Sequence, residues 1–506
     1  MNRREQADVV VVGARVAGSP AAIELARRGR RVVVLDSSTF PSDTLSTHVV
    51  FPALTAELAA LGALEPLLAT GTPKQPKVLI NHGGIDVHWD YTPVDGYDFG
   101  MCPRRTTLDG VLVGVAREAG AEIREATKVT GLEWTAGRVS GVHYKDREGN
   151  TGTIGCKLVI GADGRRSTVA SLVGSAVPYR RDENGRGLVF MYVDDPYPAE
   201  SEERSHLFQW RVGDTLGMYF PTCDNGAVVL FMPPREQVNW FGQDLVHWNE
   251  RLEAYPMLKE RIAGGAPRTK LRKASDPFSY FRKSSGPGWA LVGDAGHFKD
   301  PVIAQGIRDG VHYGRKLGQA AAAALDDPRW LDRALFDWEL ARDRECVISY
   351  HFALRLSKTH SISPVELEIW KASEHDPERA RRLGDAFGRT LSPEKFLNYP
   401  DLITWTARGF LDRRQSNRDV LGDVTRELST KARLYRDLAR IQRGKRLLPR
   451  NWEAWGGTKP IPPEKLTADH VAPRQPQRSD LARDEGELAR ASANGVHPAP
   501  TLEQAS

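Results

Sequence analysis

The feature that most constrains this chain is the stretch Asp8 to Asp36, DVVVVGARVAGSPAAIELARRGRRVVVLD. Val9 to Val12 is short, wholly apolar and β-branched, as expected of a strand covered on both faces of a parallel sheet. A glycine turn follows, Gly13-Ala14-Arg15-Val16-Ala17-Gly18, and then a helical segment that runs to Arg28 and stops at Gly29. A second apolar run, Val32 to Leu35, ends at Asp36, which lies 36 − 13 = 23 positions after the first glycine. Strand, glycine turn, helix, strand and acid together form a βαβ unit able to cradle a dinucleotide. The free N–H groups and positive dipole end of the helix suit a pyrophosphate, and the acid suits ribose hydroxyls. The middle position of the glycine fingerprint is occupied by Arg15, which is expected to pair with phosphate.

A length of 506 residues allows two or three domains and a large core. Apolar residues make up 40% of the chain and charged residues 27%, as in an ordinary globular protein. A net charge of +5 is too small at this size to argue for nucleic acid as a partner. Cys102, Cys156, Cys223 and Cys346 are far apart and form no metal-type pair, so no metal is expected and the usage suits a reducing, cytoplasmic location. There is no run of 18 apolar residues, so no membrane span is predicted, and no signal peptide is expected.

Later segments alternate between the two structural periods. Helices are predicted at Phe51 to Leu61 and Leu108 to Glu118. Period-two strands at Glu122–Glu125, Val129–Trp134, Arg138–Lys145, Thr151–Cys156 and Leu158–Ile160 form a meander leading into Asp163-Gly164, where a second helix is expected to start. Further strands are predicted at Val78–Asn81, Asp86–Trp89, Gly187–Val193, Ser205–Val212, Leu216–Phe220 and Ala227–Met232, and one helix over Asp244 to Ala263. A buried strand reaches Gly293-Asp294, a helix opens at Gln305-Gly306, and the chain beyond Trp330 reads as helical to about Arg446.

Three motifs in this order resemble the para-hydroxybenzoate-hydroxylase-like flavoprotein monooxygenases (class A), relatives of geranylgeranyl reductases and flavin-dependent halogenases. They are Gly13-x-Arg15-x-x-Gly18 ending at Asp36, then Gly161-Ala162-Asp163-Gly164-Arg165-Arg166-Ser167, and Gly293-Asp294-Ala295-Gly296-His297-x-x-x-Pro301-x-x-Ala304-Gln305-Gly306. Arg105, four residues before Asp109, matches a family arginine near the cofactor. The resemblance covers roughly residues 5 to 350. It implies an α/β fold in which a Rossmann-like FAD-binding domain (1–70, 102–180 and 286–345), with parallel sheet and meander, is interleaved with a β-rich substrate domain (71–101 and 181–285). A helical C-terminal region (346–455) follows, with a disordered tail (456–506).

The cofactor residues implied are Gly13, Arg15, Gly18, Asp36, Arg105, Asp163, Gly293, Asp294, Gln305 and Gly306. Pro301, Ile307 and Arg308 are implied to position the flavin ring, the last two through backbone N–H groups. The chemistry implied is hydroxylation or epoxidation of an aromatic or polycyclic small molecule, using FAD, NADH or NADPH, and O2 through a C4a-hydroperoxyflavin. This sequence departs from the family pattern at Ala304, where glycine is usual, at Arg308, where asparagine is common, and at Lys299-Asp300.

Three other readings stay open. The first is a reductase of the geranylgeranyl type. A halogenase is disfavoured because no Trp-x-Trp-x-Ile-Pro segment is present. A non-catalytic flavin protein is the third, and the C-terminal helices are candidates for a homodimer contact. His48 could be brought to the flavin but is read instead as an ordinary polar loop residue, His297 as a packed residue, and Lys299 and Asp300 as pairing with each other or with neighbours. The basic run from Lys431 to Arg450 is read as a solvated helix face.

Overall fold

The computed structural model describes residues 3–275, 278–358, 362–396 and 398–447, so the predicted tail at 456–506 lies outside the described residues. Its centre is a six-stranded sheet in the order Ser285–Gly286, Trp289–Leu291, Leu158–Gly161, Val9–Val12, Val32–Leu35, Glu122–Arg124. All neighbours run parallel except the first pair. Val9, Val10 and Val11 are fully buried, as two-sided coverage by helices requires. After Val9–Val12 the next strand lies on one side of it and Leu158–Gly161 on the other. The crevice at this reversal of strand order, outside the carboxyl ends, is where an open α/β sheet binds ligands.

One side of the sheet carries the helices Gly18–Ala26 and Gly306–Ala324. They meet along a glycine seam that the sequence reading missed. A methyl group on Gly314 would lie 2.3 Å from the Ala17 carbonyl oxygen, and one on Gly318 would lie 2.6 Å from that of Ala21. Gly310, Gly314 and Gly318 are spaced by four, so they share one helix face, and their small size lets the two backbones touch. A meander in the order Arg3–Gln6, Thr151–Gly155, Arg138–Lys145, Lys128–Thr135 packs beside the sheet. Arg3–Gln6 has no apolar pattern and is recruited by main-chain pairing to Gly152–Gly155.

A seven-stranded sheet runs Arg272–Ala274, Leu188–Asp194, Gly226–Met232, Thr215–Thr222, His206–Val212, Lys77–His82, Ile85–Asp90. The early hairpin is tied in by a parallel pairing of Lys77–His82 with His206–Arg211. Arg180–Glu183, Phe278–Phe281 and His297–Phe298 form a further small sheet. Six helices from Pro328–Leu356 to Asn417–Gln442 form the C-terminal part of the described chain.

Two predicted elements are corrected. The helix over Asp244 to Ala263 is two helices, Leu245–Leu252 and Pro256–Arg261. Pro256 has no N–H, and it holds Tyr255 at φ −122°, ψ 69°, outside the helical region. The helix expected at Gly164 starts only at Thr168, because Gly164 takes a left-handed φ of 76° and Asp163 caps the turn that follows.

Filling the seam tests its role. Gly314→Val is expected to cost about 3 kcal/mol by overpacking, read as a clear fall in thermal midpoint by circular dichroism. Gly306→Ala, where an added methyl meets nothing within 4 Å, should leave the midpoint nearly unchanged.

Candidate active site

A cleft of about 760 Å³ opens at the strand-order reversal, within the roughly 300–1,000 Å³ usual for cofactor and ligand sites. Gly13, with φ 102°, forms its floor, where an added methyl group would lie 2.5 Å from the Ala162 carbonyl oxygen. Gly293, at φ 61°, packs as closely against Ala17. The cleft wall carries Arg15, Arg105, Lys128, Arg165, Arg166, Arg186 and Lys299 against Asp36, Asp163 and Asp294, seven cations to three carboxylates. An excess of positive charge suits an anionic pyrophosphate.

Each acid has its own environment. Asp36 accepts the Ala14 N–H at 2.8 Å on one oxygen and the Ser38 N–H at 2.8 Å on the other, which still leaves a lone pair on each for a ribose. Asp163 accepts from the Ser167 hydroxyl at 2.5 Å and the Thr168 N–H at 2.6 Å, so its carboxylate caps the local helix. Burial pushes its pKa up against those bonds. Asp294 lines the cleft and accepts no hydrogen bond from the described residues on its carboxylate, while burial pushes its pKa up against Arg165 and Arg105. A desolvated acceptor without a protein donor fits the hydroxyls of a polyol chain.

Arg15 is not a free phosphate clamp. It donates to Asp109 at 2.6 Å and to the Ser42 hydroxyl at 2.8 Å. Arg105 binds the same fully buried Asp109 at 2.9 Å. Two guanidiniums share one carboxylate, leaving a net positive edge on the cleft.

Two residues expected at the cofactor are placed differently. Gly18 lies beneath the turn, where an added methyl would lie 1.8 Å from the Gly13 carbonyl oxygen. Gln305 turns away from the cleft and donates its amide to the Phe387 carbonyl at 2.8 Å. The Arg308 side chain goes to Asp309 at 3.3 Å and Tyr313 at 3.4 Å, which leaves the role expected of its backbone N–H untouched. Pro301, Gly306 and Ile307 do line it. Ala304 adopts φ 51°, a left-handed turn that explains why glycine suits this position.

Behind this helix start lies a buried ionic hub. Asp309 is paired with Lys299, with Arg389 at 2.6 Å and with Arg308 at 3.3 Å. Burial raises its pKa, but Lys299 and Arg389 outweigh burial and hold it well below the usual carboxylate range. His297 and Cys346 sit against it, 3.2 Å apart, with Asp309 3.4 Å from His297. Their ligand atoms converge as a metal trio would. The carboxylate, however, already serves three cations. Lys299 therefore pairs with Asp309 rather than Asp300, whose buried carboxyl caps the Val302 N–H and is pushed by burial up to about 7.

His48 is fully buried with φ 67°, and its Nε2 lies 2.5 Å from the Tyr192 hydroxyl. It is a core histidine outside the cleft wall, while its neighbour Thr47, which the sequence reading passed over, lines the cleft. The basic run is only partly a solvated face. Lys431 is buried, and Arg446 pairs with Glu339 at 2.7 Å.

A second, apolar pocket adjoins the cleft and shares Thr47 and Pro301 with it. Val78, Ile80, Trp89, Leu207, Met218 and Phe220 of the seven-stranded sheet form its far wall, and Val302 to Ala304 its near one. Tyr91 lines it too, and the Tyr91 hydroxyl has no hydrogen-bond partner among the described residues. Burial, then Cys102, raises its pKa and keeps the phenol neutral.

A glycine-floored, cationic cleft for a dinucleotide beside an apolar pocket defines a flavin-dependent oxidoreductase. The chain belongs to the FAD binding domain family, whose profile matches residues 6–334. A menaquinone reductase from Mycolicibacterium smegmatis is 31% identical over 341 residues, 64% of this chain and 77% of that protein. A tryptophan 2-halogenase from Chondromyces crocatus is 26% identical over 318 residues, 60% of this chain and 59% of the halogenase. Among solved structures, a flavoprotein/dehydrogenase from Cytophaga hutchinsonii superposes with a TM-score of 0.66 at 17% identity, covering 77% of this chain and 94% of that one. No helix among the described residues is long and apolar enough to cross a membrane.

His48 and His297 predict the acid response. Burial first, then nearby cations such as Arg105 for His48, depress both to about 3 in the folded chain. The unfolded imidazoles bind protons near the ordinary pKa of about 6.5. Protons therefore favour unfolding between those values, so stability is full above about pH 6.5 and falls toward pH 3. The slope approaches about 1.4 kcal/mol per pH unit for each histidine. Thermal midpoints measured from pH 8 to pH 4 should show this fall, and His48→Phe should shallow it.

Proposed function

We propose that the protein is a monooxygenase that uses FAD, NADH or NADPH, and O2 to hydroxylate or epoxidise an aromatic or polycyclic small molecule. The observation that carries this reading is the apolar pocket joined to the cationic cleft through Thr47 and Pro301. Bound FAD would accept electrons from the nicotinamide and, with O2, deliver an oxygen atom to the substrate.

The residues of this chain supply position and environment. Asp36 and the N-terminus of Gly18–Ala26 are suited to the adenosine and pyrophosphate, with Arg15, Arg105 and Asp163 around them. Gly293 gives room for Asp294 to accept from the ribityl hydroxyls. Gly306 and Ile307 open a helix whose positive end stabilises electron density on the reduced ring. Pro301 presents an apolar face that turns the substrate toward the ring, and the pocket walls exclude water. The Tyr91 hydroxyl is placed to hydrogen-bond the one polar substituent such a substrate carries.

A second reading has its own support. The 31% identity to a menaquinone reductase favours a reductase, which on the geranylgeranyl-type reading would saturate a carbon–carbon double bond. There the neutral Tyr91 phenol would donate a hydrogen bond to a polar group of the substrate and orient it for reduction. The tryptophan-halogenase likeness is weaker in both identity and coverage.

Oxygen decides between them. With the FAD-loaded enzyme and a panel of phenols and polycyclic aromatics, NAD(P)H oxidation should be substrate-stimulated and matched by O2 uptake. Stimulation undiminished under anaerobic conditions would instead establish the reductase. Asp294→Ala should weaken FAD retention at least tenfold in equilibrium dialysis, while Tyr91→Phe should raise KM about tenfold and leave FAD bound.

A further inference from the structure

The pocket beside Pro301 is too small for the substrates proposed for it. Its volume is about 60 Å³, far under the roughly 300–1,000 Å³ of ordinary small-molecule sites. A second cavity of about 650 Å³ lies among the C-terminal helices, closed on one side by Asp182, Glu183 and Phe278 of the small three-stranded sheet and by Arg211. The two share one lining residue, Phe387. Phe387 is half-buried and packs on Phe352 in a tilted arrangement, with ring centroids 5.5 Å apart and the ring planes at 59°.

The larger cavity is amphipathic in an ordered way. Phe352, Leu356, Ile369, Trp370 and Leu383 give it an apolar lining. Charged wall residues are neutralised by one another, as Arg211 with Glu366 at 2.6 Å, Arg355 with Glu427 at 3.1 Å and Arg426 with Asp423. Lys358 and Arg433, both exposed, also belong to the wall. Such a space accepts an apolar chain and leaves its polar end among charges and water.

The dividing residue is also tied to the cofactor side. The Phe387 carbonyl accepts from Gln305 at 2.8 Å, and Arg389 two residues on reaches Asp309 at 2.6 Å. The segment from Phe387 to Arg389 thus touches both cavities and the start of the helix at the cleft.

We propose that the two cavities are one substrate site, divided by a swinging Phe387, for an elongated molecule. Its ring or double bond sits at Pro301 and an apolar tail with a polar end fills the chamber among the C-terminal helices. This rests on the substrate reading above and deepens it.

The test uses 4-alkylphenols from methyl to decyl, below their micelle concentrations, binding to the FAD-loaded enzyme by calorimetry and by perturbation of the flavin spectrum. Affinity should rise about threefold to fourfold per added methylene once the chain passes Phe387. Ile369→Trp and, independently, Leu383→Trp should abolish that gain for long chains and leave 4-methylphenol binding within twofold. Retained FAD and an unchanged thermal midpoint show that each variant is folded. Phe387→Ala should speed association of the long probes at least fivefold.

A chain-length gain that survives both tryptophan variants would overturn the proposal, as would affinity independent of chain length. Either result leaves the oxygen-dependent reading standing if 4-methylphenol still binds. Failure of every phenol to bind the native enzyme would instead remove the phenol-like substrate class, and this inference with it.

Discussion

The structure depends on how closely two helices can approach. Gly310, Gly314 and Gly318 let the backbone of Gly306–Ala324 lie on the Ala17 and Ala21 carbonyls of Gly18–Ala26. Because they touch there, the start of a helix from the third motif stands beside the start of one from the first. Their N-termini then serve a single cleft, although about 290 residues of chain separate them (306 − 18 = 288). Side chains in that seam would push the helix starts apart and split the site. The same logic applies at Gly13 against Ala162, where two strand ends are held together only because no β-carbon intervenes.

Charge placement is the second constraint. The cleft keeps an excess of cations, but few of them are free. Asp109 holds Arg15 and Arg105 in place, and Asp309 gathers Lys299, Arg308 and Arg389. Buried carboxylates here fix guanidinium positions, since an unpaired buried charge costs several kcal/mol. Arg389 comes from the C-terminal helices, so that region is part of the cofactor site's support as well as a wall of the larger cavity.

Much of the fold was legible because local pattern and final environment agreed. Val9–Val12, Val32–Leu35 and Arg138–Lys145 coincide with the runs read from period and turn chemistry. Arg3–Gln6 was invisible, since an edge strand held by main-chain bonds needs no apolar alternation. The Asp244 to Ala263 pattern was periodic throughout, but Pro256 broke the helix without disturbing the period. At the site, motif spacing located Gly13, Asp36, Asp163, Gly293 and Asp294 along one cleft. It could not tell that the Gln305 side chain turns away, because a side chain's direction at a helix start is set by its partner, here the Phe387 carbonyl. Thr47, Tyr91 and Phe387 carried no motif at all.

By itself, then, the sequence determined a dinucleotide cradle, its glycines and acids, and a family that binds FAD. These are encoded in short-range spacing, where steric limits on a turn leave few residue choices. Only the tertiary structure decided what faces the flavin site. The apolar pocket, the division at Phe387 and the ionic hub at Asp309 each join segments 80 or more residues apart, as Asp309 with Arg389 and Thr47 with Pro301. Contacts at such separation leave no periodic trace, because each partner satisfies its own local rules wherever the other happens to be.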